Sequence, residues 1–155
     1  MRTPLLIAAS GLFALLGSCS QVFEITPRMI DGRLTFVDER VPDRCVSSVT
    51  VMKMDSAQAP DEPDDRWRER TTAWVDHGGY GCDDRLPLVY GQPLKGTGSG
   101  NPDNAFGPRP LETGVIYLAA IGSGADAEAG VTFRLLSDGR VENLGPVDPG
   151  AGAAP

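Results

Sequence analysis

The sequence predicts a small all-β domain, arranged as an antiparallel β-sandwich. Several short runs alternate apolar and polar residues, and this period of two is typical of half-buried strands. Two Asp-Gly pairs, Asp31-Gly32 and Asp138-Gly139, separate such runs and favour hairpin turns, because both residue types tolerate the positive φ that tight turns require. Beyond the N-terminal signal helix, no stretch has the apolar spacing of an amphipathic helix.

The predicted strands follow one another from residue 22 onward. The run Val115–Ile121 is apolar on both faces, which indicates a central strand. The other predicted strands have one apolar face each, carried by Phe23 and Ile25, by Leu34 and Phe36, by Val49 and Val51, by Leu86, Leu88 and Tyr90, and by Val131, Phe133 and Leu135.

Segments rich in Gly, Pro and Asp separate these strands. Asp55–Asp65 and Lys95–Pro110 are expected to be exposed loops, and Gly145–Pro155 a disordered C-terminal tail. We therefore expect one β domain over residues 22–144. Its strand number and spacing are loosely similar to those of immunoglobulin and fibronectin type III sandwiches, and a small partly open barrel is the alternative.

Residues 1–18 have the layout of a signal peptide: a positive charge at Arg2, an apolar stretch and two small residues. Leu16, Gly17, Ser18 and Cys19 then resemble the lipobox of bacterial lipoprotein precursors. The resemblance implies that the Cys19 thiol receives a diacylglycerol and that residues 1–18 are removed. Residues 19–21 would form the lipidated N-terminus and a short tether. An ordinary cleaved signal with a free Cys19 thiol, or an uncleaved N-terminal helix, are the alternatives.

The resemblance also carries an expectation about location. The apolar stretch Leu5–Leu16 is too short for the ~30 Å hydrocarbon core, which needs roughly 20 residues, so the acyl chains would be the anchor. In Gram-negative relatives of this pattern, Asp after the cysteine usually retains the protein at the inner membrane, and here the residue is Ser20. We expect the periplasmic face of the outer membrane. A soluble periplasmic or inner-membrane-anchored protein is the alternative.

The remaining cysteines, Cys45 and Cys82, form an even pair in an exported domain and predict a disulfide. In the chain-entropy model such a bridge would stabilise the fold by ~4 kcal/mol. The rival interpretation is a reactive thiol with His77 as its base.

The charge of the chain bears on its partners. The net charge is −7, and removal of the signal, which contains Arg2, makes the remainder more acidic. Such a surface repels nucleic acid, so we expect no nucleic-acid partner. An envelope protein or glycan remains a possible partner, besides the membrane held through Cys19.

Two charged segments are candidate binding sites. Arg66, Arg68 and Arg70 alternate, so on a strand they would form one basic stripe able to pair with carboxylates or phosphates of an envelope glycan or lipid. The alternative is a solvated face that protects an edge strand. The acidic residues nearby could bind calcium, although their spacing matches no known loop motif; they are Asp55, Asp61, Glu62, Asp64 and Asp65.

Catalysis is the less favoured interpretation. His77 is the only histidine, and no serine occupies a nucleophile-elbow context. Asp83 and Asp84 would act as an acid/base pair only if the fold brought them into a cleft. The sequence therefore predicts a non-catalytic, lipid-anchored envelope module without a cofactor. A small envelope enzyme or metal-binding protein that uses His77 and neighbouring carboxylates is the alternative.

Overall fold

The computed structural model describes residues 21–54, 59–79, 81–95, 105–124 and 127–147. In chain order the elements are β1 (Gln21–Val22), β2 (Thr26–Ile30), β3 (Arg33–Val37), β4 (Cys45–Val46), β5 (Ser48–Lys53), α1 (Asp64–Thr71), β6 (Thr72–His77), β7 (Asp84–Arg85), β8 (Leu88–Val89), β9 (Ile116–Ser123), β10 (Ala127–Leu135) and β11 (Val141–Val147). The all-β prediction is confirmed.

The strands form three sheets. The largest has the order β1-β10-β9-β5-β6, with β11 also paired to β10; a second has the order β2-β3-β8, and β4 pairs with β7. All of these pairings are antiparallel except that of β1 with β10. The described strands do not close into a barrel, and the arrangement is sandwich-like. The predicted central strand is β9, which lies between β10 and β5.

Aromatic rings fill the middle of the core. The Phe133 ring centroid lies 5.8 Å from both the Phe36 and the Tyr117 centroids, and all three side chains are fully buried. Trp74 packs edge-on against Tyr90 at 5.4 Å. Edge-to-face and stacked geometries place the positive ring edges near the negative ring faces, and these contacts add to the burial of apolar area.

Both Asp-Gly hairpins are confirmed. Asp31 and Gly32 join β2 to β3 with φ of 50° and 73°, the two successive positive values of a type I′ turn. Asp138 and Gly139 lie between β10 and β11, and Gly139 has φ of 81°. The disulfide between Cys45 and Cys82 is also confirmed, with the two Cα atoms 5.0 Å apart. It ties β4 to the segment that leads into β7.

Two local predictions were wrong. Arg66, Arg68 and Arg70, interpreted as lying on a strand, and Asp64 and Asp65, expected in a loop, instead belong to the helix α1. Asp64 and Asp65 occupy its first turn and Arg68 and Arg70 its last, and both placements complement the helix dipole. The strand β11 continues to Val147, so Gly145–Val147 belong to the sheet and not to a tail. Residues 148–155 lie outside the described residues.

The largest sheet has two distinct ends. At one end, Ser48 lies between His77 and Gly122, and Gln21 pairs with Ala127; we call it the β1 end. At the other end, Lys53 pairs with Tyr117 and α1 leads into β6; we call it the α1 end. The six-residue strand β5 connects the two ends over roughly 20 Å, at about 3.3 Å per residue.

Candidate functional site

An open depression of about 430 Å³ lies at the α1 end. It is formed by the segment before α1 and by one face of that helix, and its lining residues are Ala59, Asp61, Glu62, Pro63, Arg66 and Arg70. Pro63 is the N-cap residue with φ of −60°, and its carbonyl accepts the Trp67 backbone N–H at 3.0 Å. The helix thus fixes the direction in which its arginines project.

The three arginines do not form a single stripe. On a helix, Arg66 and Arg70 are four residues apart and share a face, whereas Arg68 projects roughly 200° round the axis from Arg66. Arg66 and Arg70 line the depression, and Arg68 does not. The predicted one-sided row is therefore wrong, because it assumed a strand; anion binding by these residues stays a prediction.

Glu62 and Arg70 form a two-point ion pair within the depression. The Arg70 Nε and Nη2 atoms donate to Oε1 and Oε2 of Glu62 at 3.1 and 2.8 Å. The Ala59 backbone N–H also donates to Oε2, at 3.4 Å. The hydrogen bonds from Arg70 hold the pKa of Glu62 below its usual value, and Glu62 in turn raises the pKa of Arg70. This pair connects the segment before α1 to the last turn of the helix.

Asp61 and Arg66 line the same depression but, unlike Glu62 and Arg70, are not paired with each other or with a neighbour in the described ranges. Neither side chain forms an ion pair with another residue in the described part of the chain. The backbone N–H of Arg66 donates to Oδ1 of Asp65 at 2.9 Å, which leaves the guanidinium uninvolved in that bond. Both side chains are exposed, so each can meet a solute.

The acidic residues proposed as calcium ligands are spread along this segment. Asp64 and Asp65 begin α1, whereas the Glu62 carboxylate is occupied by Arg70. Within the described ranges, no three His, Cys, Asp or Glu side chains are grouped as they would be around a metal ion. Asp55 lies outside those ranges, and calcium binding stays a prediction.

His77 is exposed and lies at the β1 end, far from the depression. Its neighbour Asp76 is buried and accepts backbone N–H groups from His77 at 2.8 Å and from Leu94 at 2.9 Å. Asp84, also buried, accepts the Lys95 backbone N–H at 2.5 Å. These two carboxylates hold the segment after β8 in place, so their hydrogen bonds serve the fold. Asp83 is exposed.

Sequence reasoning missed the loop after β3. Oδ1 of Asp38 accepts the backbone N–H groups of Arg40 and Val41 at 2.8 and 3.0 Å, and Oδ2 accepts Nε of Arg44 at 2.7 Å. Burial acts to raise the pKa of Asp38, but the hydrogen bonds from Arg44, Val41 and Arg40 together outweigh it, and the pKa is lowered. An Asp two residues before its backbone donor is the signal that predicts such a turn.

Cys19 lies outside the described residues, so its lipidation stays a prediction. None of the described helices is long and apolar enough to cross a membrane. No family model matches the chain, and the searches of curated proteins and of solved structures likewise found no match.

Proposed function

We propose that this protein is a lipid-anchored cell-envelope module that binds a partner or ligand without catalysis. Cys19 carries the lipid, the periplasmic face of the outer membrane is the location, and the α1 end carries the binding surface. The observation that supports this arrangement most is the position of β1, which starts at Gln21, directly after the lipobox-like sequence and Ser20.

The short connection restricts where the domain can lie. Two residues extend over roughly 7 Å at most, at about 3.5 Å per residue, so a lipid on Cys19 would keep the β1 end near the headgroups. The depression lies at the opposite end of the largest sheet, since α1 precedes the end of β6 that is remote from His77. The depression would therefore face away from the headgroups, where a partner in the periplasm can reach it.

The hydrogen bonds of the buried carboxylates favour binding over catalysis. Asp38, Asp76 and Asp84 each accept at least one backbone N–H, which is a structural use of a carboxylate. Three exposed charged residues, Asp61, Arg66 and Arg70, line one concave surface at the α1 end, and Arg70 is paired with Glu62 there. The net charge of −7 disfavours nucleic acid as the partner.

Lipid labelling tests the anchor. Cys19→Ala should abolish incorporation of labelled fatty acid in a Gram-negative host and leave an unprocessed or soluble product, because the acceptor thiol is missing. Cys82→Ser is the matched control, since it also removes a thiol but leaves Cys19 in place; labelling should persist. An unmodified N-terminus of the mature wild-type protein in mass spectrometry would contradict the proposal.

A further inference from the structure

We infer that the depression at the α1 end binds small zwitterionic ligands, which carry an ammonium group and a carboxylate on one molecule. A short peptide with free termini is the simplest member of this class. The inference rests on the binding role proposed above and is independent of the lipid on Cys19.

The first argument is a pair of oppositely charged side chains that form no ion pair within the described ranges. Asp61 and Arg66 line one depression, and neither forms an ion pair with any other residue of the described ranges. The depression thus offers one carboxylate that accepts from an ammonium group and one guanidinium that donates to a carboxylate. The planar guanidinium fork matches a carboxylate in two-point geometry.

The second argument concerns the other two charges. Glu62 and Arg70 offset each other's charge through two hydrogen bonds. The charge of Arg66 also contributes to the lowered pKa of Glu62. A ligand therefore meets two exposed side chains of opposite sign, Asp61 and Arg66, beside an ion pair that is already formed. A ligand of purely negative charge would gain Arg66 but also face Asp61, which lines the same depression and repels it.

The third argument is the shape of the depression. A volume of about 430 Å³ lies within the range of small-molecule sites, roughly 300 to 1,000 Å³. Arg66 is placed by α1, and the segment that carries Asp61 is tied to that helix through Glu62 and Arg70. The two available charges are thus held on elements that are joined to each other, which lowers the cost of ordering them around a ligand.

Trialanine with free termini is the probe, titrated into the full-length protein in detergent while the backbone amides of residues 59–70 are followed by NMR. We expect saturable shifts confined to this segment. Acetylation of the peptide amine, or amidation of its carboxylate, should each weaken binding about threefold to fivefold, because each removes one solvent-screened contact between charges.

Three single variants assign the two ends of the peptide. Asp61→Asn should remove the preference for a free amine, and Arg66→Gln the preference for a free carboxylate, each with about threefold to fivefold weaker binding of trialanine. Arg68→Gln is the matched control, since it removes the same charge from the same helix outside the depression, and binding should be unchanged. All three side chains are exposed, and equal melting temperatures would verify that the fold is retained.

Several outcomes would overturn the inference. They are equal binding of the free and the doubly capped peptide, an equal loss in Arg68→Gln and Arg66→Gln, and the absence of saturable shifts up to the solubility limit of trialanine. Sensitivity to the carboxylate cap alone would indicate a simple anion site and would also reject the zwitterion. Lipid labelling of Cys19 is measured separately, so failure here leaves the anchor intact.

Discussion

Asp38 and Glu62 accept the same kinds of hydrogen bond in opposite surroundings. Each carboxylate accepts at least one backbone N–H and the guanidinium of an arginine, and each has a lowered pKa. The Asp38 side chain is 2% exposed and its partner Arg44 is 21% exposed, whereas Glu62 is 14% exposed and its partner Arg70 47%. A carboxylate that accepts a backbone N–H and a guanidinium therefore stabilises a buried loop at Asp38 and orders an open surface at Glu62.

The surroundings explain the difference. The Arg44 guanidinium lies 4.4 Å from the centre of the Phe23 ring, so the Asp38 loop is packed onto the segment between β1 and β2. Water has little access to the Asp38 carboxylate, and its removal would leave the donors that surround it without their acceptor. At the depression, water screens the ion pair of Glu62 and Arg70, which adds little to global stability. Its effect is to orient Arg70 and to hold the segment before α1.

The largest expected effect is at the disulfide, close to the β1 end. Replacing Cys45 or Cys82 with Ser should lower the free energy of unfolding by ~2–5 kcal/mol, because the unfolded chain gains freedom when the bridge is lost. Denaturant unfolding measures this change. The double variant is the control and should match either single variant. Single variants as stable as the wild type would show that the bridge does not carry this part of the fold.

Replacement of the buried carboxylate should have the next largest effect. Asp38→Ala should lower the free energy of unfolding by ~1–3 kcal/mol, because the backbone N–H groups of Arg40 and Val41 and the Arg44 guanidinium would lose their acceptor. The control is Asp43→Ala, since Asp43 lies in the same loop with an exposed side chain and a 3.6 Å contact to Arg85. Its stability should stay close to that of the wild type in thermal unfolding. If both variants lost the same free energy of unfolding, burial of the Asp38 carboxylate would not explain its contribution to stability.

Much of the sheet structure was predictable from local pattern. The Asp31-Gly32 turn needs two positive φ values, which few residue pairs other than those with Gly, Asn or Asp allow. Val115–Ile121 is apolar on both faces, and a strand between two others is the place where that pattern is stable. The disulfide followed from the even number of cysteines that remained after Cys19 was assigned to the lipid.

The candidate site was predicted only in part. The alternation of Arg66, Arg68 and Arg70 is also the pattern of one strand face, whereas Asp64 and Asp65 before them favour a helix start, and the helix is what forms. The pairing of Glu62 with Arg70 depends on that helix, because a rise of about 1.5 Å per residue, against about 3.3 Å in a strand, keeps the last turn within reach of the segment before it. The role of Asp38 depends on its burial and on the packing of its partner Arg44 over Phe23, which no local pattern determines.

Glu62→Gln should have the smallest effect on global stability. It tests most directly whether Glu62, unlike the buried Asp38, acts only locally. The variant keeps the side-chain shape but removes the charge that Arg70 binds, so α1 should lose protection against hydrogen exchange while the melting temperature changes far less than in Asp38→Ala. Glu69→Gln is the matched control, since that glutamate lies on α1 outside the depression and its 4.0 Å contact with Arg109 is solvent-screened, so exchange should change little.

The lowered pKa of Glu62 determines the direction in which the protection of α1 changes with pH. The pKa of Glu62 in the folded protein lies below its ordinary value of 4.5, so the stabilisation from its charge is fully present above that value. It is lost as the pH falls through the lower, folded-state pKa. Wild-type α1 should therefore lose protection progressively as the pH falls below 4.5, whereas Glu62→Gln should show the low protection throughout. If the variant followed the wild-type pH profile, a group other than Glu62 would be stabilising α1. Glu62 would then not order its segment as Asp38 orders the loop after β3.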